Sequence, residues 1–113
     1  MLPKVFTNSR IPKILSWFIS IKAITIGPFI FVDGEPTERL LRHEMIHVAQ
    51  YKELWYVGFL PVYVFDWVIG LLKTRSLKQA YLGIRMEQEA RDGDGIVGYL
   101  DTRKKFCWTR YKV

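Results

Sequence analysis

The chain has two histidines, His43 and His47, in the stretch RHEMIHVAQ, with Glu44 directly after the first. Residues four apart on a helix stack one above the other on the same face. Both imidazoles can therefore address one metal ion. Glu44, one residue round from His43, lies beside the pair, where it reaches a water on the metal rather than the metal itself. That is the division of labour of an H-E-x-x-H helix, with two ligands and a base on one turn. The competing reading is a pair of ordinary histidines on an amphipathic helix.

A catalytic zinc takes three protein ligands and leaves a position open. With no third histidine and a single cysteine, Cys107, the third ligand has to be a carboxylate. The stretch MEQEARDGD supplies Glu87, Glu89, Asp92 and Asp94. Ala80, Gly83, Ile84, Glu87 and Ala90 fall on one helical stripe whose small residues admit a close neighbour. Glu87 thus points into a packed face, where a carboxylate needs a partner. A divalent cation is one such partner, and Arg39 or Arg42 is another. Glu87 is the favoured ligand, with Glu89 and Asp92 as alternative ligands or as groups supporting them.

The elements that must hold these residues are legible in outline. AITIGPFIFVDG at 23–34 is β-branched and aromatic and reads as one or two strands, with Gly27-Pro28 as a bulge or edge feature. EPTERLLRHEMIHVAQYKEL reads as a helix with Pro36 at its first position and Leu41, Met45 and Val48 as an apolar stripe, widened by Ile46 and Ala49. A second, strongly apolar helix runs from Pro61 to about Lys73. Ser76 caps a third, LKQAYLGIRMEQEARD, which Gly93 stops. The tail from Gly95 is ambiguous between strand and helix. One strand element with three helices makes an α+β domain, and 113 residues make one domain, 1–113.

Half of the residues are hydrophobic and 15% are aromatic, which is rich for a small domain. The net charge of +6 is concentrated at the ends, at Lys4, Arg10, Lys13 and Lys22 and again at Arg103, Lys104, Lys105, Arg110 and Lys112. Basic ends suit an anionic surface, either membrane or nucleic acid, and equally suit solubility. The N-terminal apolar stretch IPKILSWFISIKAITIGPFIF is broken by lysines and reads as no secretion signal. The stretch 54–72 contains Gly58, Pro61 and Asp66 and favours contact with a membrane surface over insertion. The lone cysteine excludes an internal disulfide scaffold, and the cytoplasm is favoured over secretion. DGDG at 92–95 reads as a helix-ending turn rather than a calcium loop.

RHEMIHVAQ and MEQEARD together resemble the zincin metallopeptidases, of the gluzincin type with a glutamate third ligand. The preceding strand ITIGPFIFVDG fits the edge strand of that family, and the resemblance covers about residues 22–92. The chain looks like a minimal member, similar to small phage and bacterial proteins with an HExxHxxQ motif. It implies an active-site helix and a glutamate helix packed with a short edge strand or small antiparallel sheet. It also implies Zn2+ held by His43, His47 and Glu87, with Glu44 as general base in peptide hydrolysis. Tyr63, Tyr81 and Arg85 are candidates to stabilise the oxyanion. A peptide or protein substrate would pair with the strand near Ile24–Phe31. The pattern departs in one place: where relatives carry an orienting acid four residues after the third ligand, this chain has Arg91, with Asp92 adjacent. Two alternatives stand beside the peptidase: an inert zincin-like metal-binding module, and a basic membrane- or nucleic-acid-associated protein with incidental histidines.

Overall fold

A computed structural model describes residues 4–12 and 22–113. Most of the N-terminal apolar stretch, 13–21, lies outside the described residues. Three short strands, β1 (Lys4–Phe6), β2 (Ala23–Ile26) and β3 (Phe29–Val32), form a mixed sheet in the order β1-β3-β2. β1 runs parallel to β3, and β2 pairs antiparallel with β3 in the register Ala23↔Val32 to Ile26↔Phe29. The AITIGPFIFV stretch is therefore two strands. Gly27 and Pro28 form a tight hairpin turn rather than a bulge, and Gly27 takes the positive φ (60°) that such a turn needs at its first central position. β2 is left as an edge.

Five helices follow: α1 (Glu38–Glu53), α2 (Phe59–Thr74), α3 (Leu77–Leu82), α4 (Arg85–Gly93) and α5 (Tyr99–Thr102). α1 begins two residues later than the Pro36 reading. The Thr37 side chain accepts from Leu40 N–H and caps it, and Glu38 lies in the first turn at the positive end of the dipole. α1 packs on two sides. Val48, with Leu40 and Met45, meets Ile30 and Val32 of the sheet. Its other face, carrying Glu44, His47 and Gln50, is buried and polar. Gln50 on this face reaches Met86 O and Glu89 of α4, and Tyr51 packs in one apolar cluster with Met86.

The single helix expected over 77–92 is two. Ile84 takes an extended conformation (ψ 127°) between α3 and α4. The break is compensated from outside. Asp66, fully buried in α2, accepts from the backbone N–H of Arg85 at 3.1 Å and pairs with the Arg85 guanidinium at 2.9 Å. A carboxylate from another helix thus caps α4. Gly93 is the last residue of α4 rather than its stop. α2 and α3 pack at Gly70, where an added Cβ would lie 3.0 Å from Ala80 Cα. The tail forms α5 and a 3-10 turn, Cys107–Arg110, not a strand, and its buried Trp108 joins Tyr51, Phe59, Ile84 and Met86 in the second core. Among the described residues, no helix is long and apolar enough to cross a membrane.

Candidate metal centre

α1 and α4 bring the predicted groups to one point between the two cores. His43 Nε2 lies 3.1 Å from Glu87 Oε1, and His47 Nε2 lies 3.0 Å from Glu87 Oε2. Ligand atoms about 2.0–2.1 Å from a tetrahedral zinc are separated by roughly 3.3–3.4 Å, so these spacings are close to a ligand set. Glu44 Oε2 is 3.8 Å from His43 Nε2, and one ligand atom from each of His43, Glu44 and His47 lies within 4.8 Å of the others. Glu87 lies closer to both imidazoles than Glu44 does to His43. Each of its oxygens approaches one imidazole, whereas Glu44 Oε1 is taken by the Thr25 hydroxyl at 3.1 Å.

The support behind each histidine is specific. Gln50 Nε2 donates to Met86 O and to Glu89 Oε1, both at 3.0 Å. Both partners are acceptors only, so the amide cannot be turned over. Its oxygen must face His47 Nδ1, which lies 2.7 Å away and has to carry the proton. In the neutral imidazole His47 Nε2 is then the unprotonated nitrogen. It is buried and makes no hydrogen bond of good geometry, even to the nearby Glu87. A buried ring nitrogen with no hydrogen bond of good geometry, 3.0 Å from a carboxylate oxygen, fits a metal ligand. On the other side, Asp94 Oδ2 lies 3.0 Å from His43 Nδ1. Arg39 Nε holds Asp94 Oδ1 at 2.7 Å, and Arg42 holds the Asp94 carbonyl.

The charge balance points the same way. Glu44 and Glu87 are both 4% exposed. With neutral histidines the quartet holds two buried negative charges, and a divalent cation offsets both. In the metal-free protein, protons do that work. Burial acts to lower His47, but the Glu87 carboxylate outweighs it and raises the imidazole to about 9. His43 moves upward in the same way. Burial works to raise Glu87, yet the two imidazoles hold it well below the usual carboxylate range. Burial raises Glu44, which keeps only part of that compensation from the histidines.

No family model, curated protein or solved structure matches this chain.

The remaining predicted residues divide. Tyr63 donates to Glu87 Oε2 at 2.7 Å, and Tyr63 and Tyr81 both line the cavity of about 100 Å³ at the site, with Ala23, Ile24 and Thr25 of β2. Burial and the Glu87 charge keep both phenols protonated. A wider cavity of about 340 Å³ adjoins it along Ala23, Glu44 and Tyr81. Arg85 is not at the site, because Asp66 holds it. Glu89 is fully buried but faces Arg103 (2.7 Å), Tyr99 (2.8 Å) and Gln50. Asp92 accepts from Tyr111 at 2.8 Å near the surface. Arg39 and Arg42 pair with Asp94 rather than Glu87. Two supporting residues were not assigned roles from sequence. Gln50 sits three residues after His47 on the same helical face, a signal that could have been read. Asp94 was one acid among four, and only the path of the chain after α4 selects it.

Proposed function

We propose that this protein is a zinc-dependent peptidase. The observation that carries the reading is the convergence of His43 Nε2, His47 Nε2 and both Glu87 oxygens, with the Glu44 carboxyl beside them. His43, His47 and Glu87 would hold the ion. When bound, zinc supplies Lewis-acid chemistry that polarises a carbonyl and acidifies water. Glu44, with its pKa raised by burial, takes a proton from the attacking water and delivers it to the leaving amine. Tyr81, protonated and facing the cavity, is the donor for the developing oxyanion, while the Tyr63 hydroxyl is committed to Glu87.

An extended substrate has a matching edge. The Lys22 carbonyl bonds Asp33 N–H, so by alternation Ile24 and Ile26 turn their backbone groups to β3. Ala23 and Thr25 turn theirs away from β3, and since the Thr25 carbonyl is already taken by the Tyr51 hydroxyl at 3.2 Å, a substrate strand would pair at Ala23. The substrate strand is accommodated on β2, since β3 is enclosed between β1 and β2. Backbone pairing gives affinity without strict sequence demands.

A second reading, an inert metal-binding module, is favoured by the smallness of the inner cavity, about 100 Å³. One experiment separates the two. Purified protein should hold about one zinc per chain and cleave an unfolded protein substrate. Glu44→Gln should keep the zinc and lose at least about a hundredfold in turnover. Zinc retained with no Glu44-dependent turnover supports the inert module. Equal zinc in wild type and His47→Ala refutes both.

A further inference from the structure

We propose that the outer face of α2, together with the turn before it, is a docking surface for an anionic lipid bilayer. Leu60, Val64, Val68 and Leu72 recur every fourth residue and are all exposed, Leu72 at 77%. Phe65 widens the stripe, and Trp55 and Val57 in the preceding turn are 85% and 82% exposed. The opposite face of the same helix is spent on the core: Phe59 packs on Tyr51, and Asp66 caps α4. Among the described residues, the outward side chains have no structural duty. The turn that displays Trp55 is also strained, since Trp55 and Tyr56 both take left-handed backbone (φ 56° and 60°), a conformation that disfavours side-chain-bearing residues.

Charge selects the occupant. From Leu54 to Met86 the sequence has one acid, Asp66, and that acid is fully buried against Arg85. Lys73, Arg75 and Lys78 are exposed at the C-terminal end of the stripe. An apolar face rimmed by cations, with aromatic residues at its other end, matches the boundary between acyl chains and anionic headgroups. A second copy of this chain would bring a like charge of +6 to the same face. At 16 residues the helix is roughly 24 Å long, shorter than the hydrocarbon core, so it lies along the surface. Phe59 and Tyr63, one turn apart on its inner face, line the site cavity, which places that cavity directly beneath the docking helix.

The test is co-sedimentation with vesicles of phosphatidylcholine alone, and of phosphatidylcholine containing about one quarter phosphatidylglycerol. The wild type should partition onto the anionic vesicles, less so on the neutral ones, and should be released by salt. Arg75→Gln/Lys78→Gln should lose about 25-fold, roughly fivefold per charge. Leu60→Gln/Leu72→Gln should lose about 100-fold on the anionic vesicles. All these positions are exposed, and circular dichroism with a thermal melt checks that the fold is kept. Equal partition onto both vesicle types, or wild-type partition by the Leu60/Leu72 variant, overturns the proposal. So does a dimer in sedimentation equilibrium that the Leu60/Leu72 variant dissolves while vesicles take up nothing.

Discussion

Replacing Gln50 by leucine isolates the orientation of His47 from its identity as a ligand. The change keeps the side-chain volume but removes the acceptor 2.7 Å from His47 Nδ1 and the two donations to Met86 O and Glu89 Oε1. Glu89 retains Arg103 and Tyr99, so its charge stays compensated. The uncompensated loss is at His47, whose Nδ1–H is left buried without an acceptor at a cost of about 1–3 kcal/mol. For a domain of this size the melting temperature of the metal-free protein should fall by about 4–12 °C. Zinc affinity should fall about 10- to 100-fold, the range for loss of a group that orients a ligand histidine, equivalent to about 1.4–2.8 kcal/mol. Competition with a chromophoric chelator at fixed pH measures the affinity. Gln88→Leu is the control: Gln88, on α4, also donates from its amide, to Gly83 O and Lys112 O, but touches none of His43, His47 and Glu87. It should lose stability and keep zinc. If Gln50→Leu is folded yet binds zinc within about twofold of wild type, the tautomer-fixing chain from Glu89 through Gln50 to His47 has no part in the site.

Gln50→Glu places a second carboxyl 3.0 Å from that of Glu89, which burial works to raise but Arg103 and its other partners hold below the usual range. Glu89 stays ionised, so the introduced carboxyl has its folded-state pKa raised. Its protonated form is tolerated below the ordinary glutamate value, and stability is lost as pH rises through the raised one. Denaturant melts should find the variant much weaker than wild type at pH 8 and least impaired near pH 5, and an equal deficit at both would contradict the geometry. Asp94→Leu should weaken zinc binding about 10- to 100-fold by freeing His43, while Asp94→Asn, which keeps an acceptor for Nδ1–H, should recover most of it in the same chelator competition. Arg103→Met strips the partner from Glu53 and Glu89, whose side chains are 7% and 0% exposed, and should cost about 3–5 kcal/mol in a denaturant melt.

Much of the site was legible because its geometry is local. The four-residue spacing of His43 and His47 fixes their common direction on any helix, and Glu44 follows from it. Glu87 was legible for a weaker reason: among four acids it alone shares a stripe with Ala80, Gly83, Ile84 and Ala90. That reasoning assumed one continuous helix, and the chain breaks at Ile84 instead. Glu87 still faces inward because it shares α4 with Ala90, three residues on, and both are buried. What sequence did not deliver was long-range. Nothing local pairs Asp94 with His43, fifty-one residues away in the chain, or Asp66 with Arg85. Arg85 looked like a free cation near the site for that reason. The boundary at Thr37 was a choice between two legitimate start signals, Pro36 and a capping hydroxyl, and the hydroxyl prevailed because it satisfies Leu40 N–H.

The break between α3 and α4 is also what allows so short a chain to aim a carboxylate at two imidazoles. A straight helix from Leu77 would have one axis, set by the contact of Ala80 with Gly70, and Glu87 would follow wherever that contact sent it. With the chain extended at Ile84, α3 answers to Gly70 and α4 answers to other constraints. Asp66 fixes where α4 starts, through Arg85 N–H. Gln50 grips the Met86 carbonyl and Glu89, on either side of Glu87. The same Gln50 sets the tautomer of His47. One amide therefore positions Glu87 and His47 together, so an error in one cannot arise independently of the other. That coupling gives the buried Gln50 amide, with both its oxygen and its nitrogen bonded, a role that an apolar contact between α1 and α4 would not fill.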